Sequence, residues 1–116
     1  MPEIPFDFPE AIRSLKRADI PFEGCTAYLV QGEHEQVLFM RFEKDVELPE
    51  HSHDPQWGVV LSGRIELTIA GETRTFAAGD TYYIPKGVKH SGRIFAGYAD
   101  ITYFGQKDRY RAREEG

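Results

Sequence analysis

Cysteine is almost missing from the chain: Cys25 stands alone among 116 residues. No disulfide framework can form within one copy, and the thiol reads as a small buried hydrophobe rather than a nucleophile. Positive charge is also in short supply. A count of 14 Lys and Arg against 19 Asp and Glu leaves a net charge of −5, the wrong balance for a surface that grips phosphate backbones, so nucleic acid is set aside as a partner. Nor is there a long hydrophobic run. Nothing approaches the roughly 20 consecutive apolar residues that a membrane span requires, and residues 1–8 carry neither the basic nor the apolar region of a secretory leader. The expectation from these shortages is a cytoplasmic protein with no membrane partner.

What the chain does have is aromatic side chains, with eight Phe, six Tyr and one Trp, and 11 Gly and seven Pro spaced as turns need. That favours strands over helices, and the length suits one all-β domain with a continuous core. Strands are predicted at Cys25–Gln31, Val37–Glu43, Arg64–Ile69, Thr73–Phe76, Thr81–Ile84, Val88–Phe95 and Tyr98–Phe104. In Arg64–Ile69, the apolar Ile65, Leu67 and Ile69 alternate with Arg64, Glu66 and Thr68, so one face is buried and the other wet. Breaks about every eight to twelve residues point to a closed antiparallel sandwich or barrel. Ahead of the strands, Asp7 with Glu10 reads as the cap of a short helix whose apolar edge is Ile12 and Leu15. The organisation expected is an extended arm and short N-terminal helix over residues 1–23, a β-barrel over 24–106, and a solvated tail over 107–116.

Three of the four histidines fall in two short stretches. Residues two apart in an extended strand share a face, so His51 and His53 can offer two imidazoles to one point. His90 ends the stretch that starts at Gly79, and a returning strand can carry it beside the first two. Imidazole suits transition metals such as Zn, Fe, Ni, Cu and Mn, whereas Ca and Mg prefer oxygen cages. His34, in a predicted turn between Glu33 and Glu35, reads as solvated. Tyr82, Tyr83, Tyr98, Asp100 and Tyr103 lie on strands expected to border the cavity, as candidates for acid, base or substrate clamp. In the last strand the apolar set Ala99, Ile101 and Tyr103 predicts a core face that sends Asp100 outward. Met40 and Phe42 are expected to supply apolar wall, and Trp57 to pack away from the site on another sheet or a subunit interface. Gly63, Gly79 and Gly87 are expected to serve turns.

The two histidine stretches resemble the paired motifs of the cupin superfamily, small RmlC-like jelly-roll barrels that hold a metal inside. The family's first motif, G-x5-H-x-H-x3,4-E-x6-G, is matched by His51, His53 and Gly63; the second, G-x5-P-x-G-x2-H-x3-N, by Gly79, Pro85, Gly87 and His90. Asp45 stands in place of the first Gly and Ile94 in place of the last Asn. Gln56 fills the glutamate position, with two residues between it and His53 instead of three or four. The run Gln56–Gly63 is similar to the Q-x-G-x-V-L-x-G form of cupins with a three-His, one-Gln site.

This resemblance, over about residues 37–104, implies a jelly roll in which His51, His53, Gln56 and His90 hold a divalent transition metal. A neutral amide in place of a carboxylate leaves more positive charge on the site, so bound water is more acidic and an anion more strongly attracted. It also implies an enzyme acting on a small oxygen-rich or anionic molecule, of lyase, isomerase or dioxygenase type; glutamine-ligand cupins include enzymes that linearise unsaturated uronates. The alternative is a non-catalytic sensor whose pocket holds an effector beside a structural metal. A homodimer is expected from exposed sheet edges and aromatic outer faces, with the N-terminal arm pairing across.

Overall fold

The structure is a computed structural model and describes residues 6–113. Within these residues the elements run α1 (Glu10–Arg13), β1 (Lys16–Arg17), β2 (Cys25–Gln31), β3 (Gln36–Phe42), β4 (Val46–His51), β5 (Gln56–Ser62), β6 (Arg64–Ile69), β7 (Glu72–Ala77), β8 (Thr81–Ile84), β9 (His90–Ile94) and β10 (Ala99–Phe104). One antiparallel sheet has the order β1-β2-β3-β10-β5-β8 and the other β4-β9-β6-β7. They face each other as a jelly-roll barrel, with Leu38, Val60, Leu67, Ile84 and Phe104 in the core between them, each at most 2% exposed. The predicted strands stand, with ends displaced by no more than two residues.

Side-chain alternation places the core. Along β3, Gln36, Leu38, Met40 and Phe42 are buried while Val37, Phe39 and Arg41 are half-buried, the period of two that a pleated strand imposes. The β6–β7 hairpin turns on Ala70 and Gly71, with φ of 51° and 81°, a pair of positive values that matches the twist of the flanking strands. Gly63 has φ 67°, and a Cβ there would fall 2.8 Å from the Cα of Tyr98; the β5–β6 turn needs glycine for both conformation and space. Gly79 and Gly87 also take positive φ, as expected.

One expectation at the N-terminal end is corrected. The helix α1 is a single turn with no buried residue, and Pro9 holds its N-cap position. Asp7 therefore sits too far upstream to reach the free amides of the first turn; it accepts a hydrogen bond from the Phe8 amide and pairs with Arg41 at 3.0 Å. It is Phe8, 5% exposed, that packs on the barrel, its ring meeting Tyr28 and Phe39 edge-on at 6.1 and 5.8 Å. Residues 1–5 of the arm, expected to run over the surface or a partner, lie outside the described residues.

The tail is exposed at Lys107, Asp108, Arg111, Ala112 and Arg113 but is tied to the barrel. The Asp19 amide donates to the Arg111 carbonyl at 2.8 Å, the Arg113 amide donates to the Arg17 carbonyl at 2.6 Å, and Ala18 bridges Ala112. Residues 107–113 thus form a strap along the barrel. The edge next to β1 has backbone groups in need of partners, and the strap satisfies them through main-chain bonds that leave no trace in side-chain patterning.

Candidate metal centre

His51 ends β4 and His90 begins β9, and the two are register partners. His53 follows in the connection to β5. Ring centroids are 4.2 Å apart for His51 and His90, 4.7 Å for His53 and His90, and 5.3 Å for His51 and His53. One nitrogen from each ring lies within 4.8 Å of the others. The expected strand spacing is only half present, because β4 stops at His51 and the chain carries His53 in from a loop.

Local backbone sets the tautomers. The Nδ1 atoms of His51, His53 and His90 lie 2.7, 2.6 and 3.0 Å from the carbonyls of Pro49, Asp54 and Val88. A carbonyl only accepts, so each Nδ1 carries the hydrogen and each Nε2 keeps its lone pair. The Nε2 atoms of His53 and His90 are buried without a hydrogen-bond partner among the described residues. Such orphaned acceptors are costly, and a transition metal fits three neutral imidazoles. Burial, more than any neighbour, pushes His53 down to about 4 and lowers His90. Both are then neutral at pH 7, the ligating form.

The cavity beside these rings is about 190 Å³ and draws walls from both sheets. Met40 and Phe42 line it as expected, and so does Gln56. The Gln56 Nε2 donates to Thr102 Oγ1 at 3.1 Å and more weakly to the Tyr82 hydroxyl at 3.4 Å, which leaves Oε1 as the acceptor end of the amide. Gly58, paired with Tyr82, makes room for the phenol, since a Cβ there would lie 2.3 Å from the ring.

Asp100 reverses its predicted orientation. It is 3% exposed and lines the cavity. Its Oδ2 accepts from the Tyr98 hydroxyl at 2.5 Å and the Tyr82 hydroxyl at 3.0 Å, while Oδ1 is buried without a partner among the described residues. The β10–β5 register shifts between Ala99 and Asp100, and Tyr103 emerges on the outer face, 41% exposed. Apolarity misleads here because β10 is a central strand with apolar residues on both faces, so its pattern carries little alternation. Burial raises Asp100 to about 6 against the opposing effect of the two tyrosine hydrogen bonds. Burial, with the Asp100 charge second, also raises Tyr82 and Tyr98.

Of the five candidates for proton transfer, Tyr82 and Asp100 reach the cavity and Tyr98 stands behind Asp100. Tyr83 and Tyr103 do not; they flank Trp57 in a cross-strand row on the outer face, the three being 56%, 41% and 42% exposed. His34 is exposed, as expected. Burial pushes the Cys25 thiol up to about 12, which removes it as a nucleophile.

Sequence reasoning missed Arg109. It lines the cavity, its Nε is buried without a hydrogen-bond partner among the described residues, and its guanidinium lies 4.5 Å from the Tyr110 ring centre and 5.8 Å from that of Phe104. No carboxylate pairs with it among the described residues. The signal was present as a basic residue soon after the last strand, but nothing in the sequence folds the tail back.

Fold and site together define a jelly-roll barrel with three convergent histidines at the mouth of an internal cavity. Residues 38–97 match the model of the cupin domain, over half of the chain, and the protein belongs to that family. No curated protein matches it. Among solved structures it is similar to an RmlC-like cupin from Shewanella frigidimarina, with a TM-score of 0.70, 22% identity, and 92% of this chain and 94% of that one covered. KdgF from Halomonas sp. aligns with a TM-score of 0.66 and 18% identity over 78% of this chain and 87% of that one. A variant of oxalate decarboxylase from Bacillus subtilis aligns at 0.68 and 20% identity, with 83% of this chain but only 28% of that one covered. Among the described residues no helix is long and apolar enough to cross a membrane.

Proposed function

We propose that the protein is a metal-dependent enzyme of lyase or isomerase type, acting on a small, oxygen-rich carboxylate. His51, His53, His90 and Gln56 hold a divalent transition metal, one of Zn, Fe, Ni, Mn or Cu. The observation that carries this reading is the pair of buried Nε2 atoms of His53 and His90 with no partner among the described residues, in a cluster whose ligand atoms lie within 4.8 Å. When bound, the metal supplies a Lewis acid that polarises an oxygen and acidifies water.

The remaining roles belong to side chains of the chain itself. Arg109 meets the substrate carboxylate, since a guanidinium on a cavity wall with no carboxylate partner among the described residues is suited to a charge-assisted, two-point contact. Asp100 holds and moves the proton at Oδ1, and Tyr82 and Tyr98 fix its other oxygen. Met40 and Phe42 exclude water. Proton transfer is the central need of lyases and isomerases, which places them ahead of dioxygenase chemistry. The Mn(II) centres of B. subtilis oxalate decarboxylase, a fold relative, support both the metal and a small acid as ligand.

Elemental analysis by mass spectrometry on protein purified without oxygen tests the site. Wild type should carry about one transition metal per chain, His90→Ala less than a tenth of that, and Gln56→Ala should bind on the order of tenfold more weakly. Metal-loaded wild type should then turn over a member of a panel of unsaturated uronates and enolisable acids. No metal after reconstitution, or a His90→Ala variant identical to wild type across the panel, overturns the proposal. Binding of a uronate without turnover replaces the enzyme by a sensor.

We further propose a homodimer in the reducing cytoplasm, formed through the Tyr103, Trp57 and Tyr83 row, which contains no charged residue. Trp57→Lys should convert a dimer to a monomer in analytical ultracentrifugation. A wild-type protein that stays monomeric at tens of micromolar rejects that interface.

A further inference from the structure

The strap of residues 107–113 is attached to the barrel through a buried amide. Gln36 opens β3 and is 0% exposed. Its Oε1 accepts from the Tyr110 amide at 3.0 Å, and its Nε2 donates to the Tyr110 carbonyl at 2.7 Å. One side chain thus offers Tyr110 the donor and acceptor that a neighbouring strand would supply. Gln31, the register partner of Gln36, completes the arrangement. Its Oε1 accepts from Gln36 Nε2 at 2.8 Å, and its own Nε2 donates to the Lys107 carbonyl at 2.8 Å.

Position makes this more than a terminal tether. Gln36 occupies a core-facing place in the alternation that continues with Leu38, Met40 and Phe42, where a buried amide must be fully satisfied. The hydrogen bonds of that amide go to the strap and to Gln31, which itself holds the strap. The residue before Tyr110 is Arg109, whose guanidinium lies over the Tyr110 ring and lines the cavity.

The structure assigns Gln36 the role of positioning residue: by clamping both backbone groups of Tyr110 it sets the reach of Arg109 into the cavity. This rests on the proposed reading of Arg109 as the group that meets a substrate anion. Gln36 touches no substrate; it acts through Arg109 and governs affinity for the anion.

The test uses the zinc-loaded full chain, hydrogen exchange by mass spectrometry, and mapped modification by the arginine reagent phenylglyoxal. Gln36→Met keeps the length of the side chain and removes both hydrogen-bonding groups. It should speed exchange at the Tyr110 amide and modification of Arg109 at least tenfold, while the exposed Arg74 reacts as in wild type and zinc stays at one per chain. Gln31→Ala, at an exposed position, should give the same change at smaller size and decides the matter if Gln36→Met fails to fold. Wild-type exchange and reactivity in a folded variant overturn the clamp. Galacturonate titrations separate the two ideas. A loosened strap with galacturonate affinity unchanged in Arg109→Gln keeps the clamp and removes the anion reading, whereas an unaltered strap with weakened affinity in Arg109→Gln does the reverse.

Discussion

The histidine side of the cavity and the opposite wall on the six-stranded sheet are held in place by different means. Each histidine is oriented by a backbone carbonyl one or two residues away, Pro49 for His51, Asp54 for His53 and Val88 for His90. On the opposite wall the polar groups rely on distant side chains, Gln56 on Thr102 at a separation of 46 residues and Tyr82 on Asp100 at 18, and behind it Gln36 relies on the Tyr110 backbone at 74. Local partners fix ring tautomers whatever the rest of the barrel does. Distant partners exist only once the sheet has closed, so the wall they build depends on register and on complete satisfaction of buried polar atoms.

The sharpest way to break this comparison is Asp100→Asn. A carboxyl whose folded pKa is raised keeps its proton in the folded state at a pH where the unfolded chain has lost it. Between 3.8 and about 6 the folded protein therefore binds more protons, and the stability due to this group falls as pH rises through that window. The gap corresponds to about 3 kcal/mol, absent below the window and fully present above it. Asparagine keeps the shape and cannot ionise. Relative to wild type, the variant should gain about 3 kcal/mol between pH 3.5 and pH 7 in urea unfolding of metal-free protein. A stability difference that does not change with pH would show that the opposite wall does not hold a strained carboxyl.

The same division explains what could be read in the sequence. The barrel was legible from alternation, as in Arg64–Ile69, and from turn residues such as Gly63, whose φ of 67° only glycine adopts easily. The three histidines were legible because their spacing and their partners are local. Asp100 was not, because a register shift at Ala99 and apolar cover on both faces of β10 erase the period of two. Arg109 and Gln36 were not, because the Gln36 side chain joins the strap backbone across 74 residues, and neither composition nor hydropathy encodes such a pairing.

A smaller change probes where the two sides meet. Thr102 is fully buried, accepts from Gln56 Nε2 and donates to the Trp57 carbonyl at 3.2 Å. Thr102→Val preserves volume and removes the hydroxyl, so Gln56 keeps only its long contact with Tyr82 and the Trp57 carbonyl loses a donor. The cost to folding should be about 1–2 kcal/mol, the penalty of leaving buried polar atoms unpaired. If Gln56 is a ligand oriented from the opposite wall, competition against a zinc chelator should show metal affinity falling on the order of tenfold, as when a partner that orients a ligand is removed. If stability drops and metal affinity does not, the histidines hold the metal alone. Gln56 then belongs to the wall that shapes the cavity, and the two sides of the barrel are separate in chemistry as well as in construction.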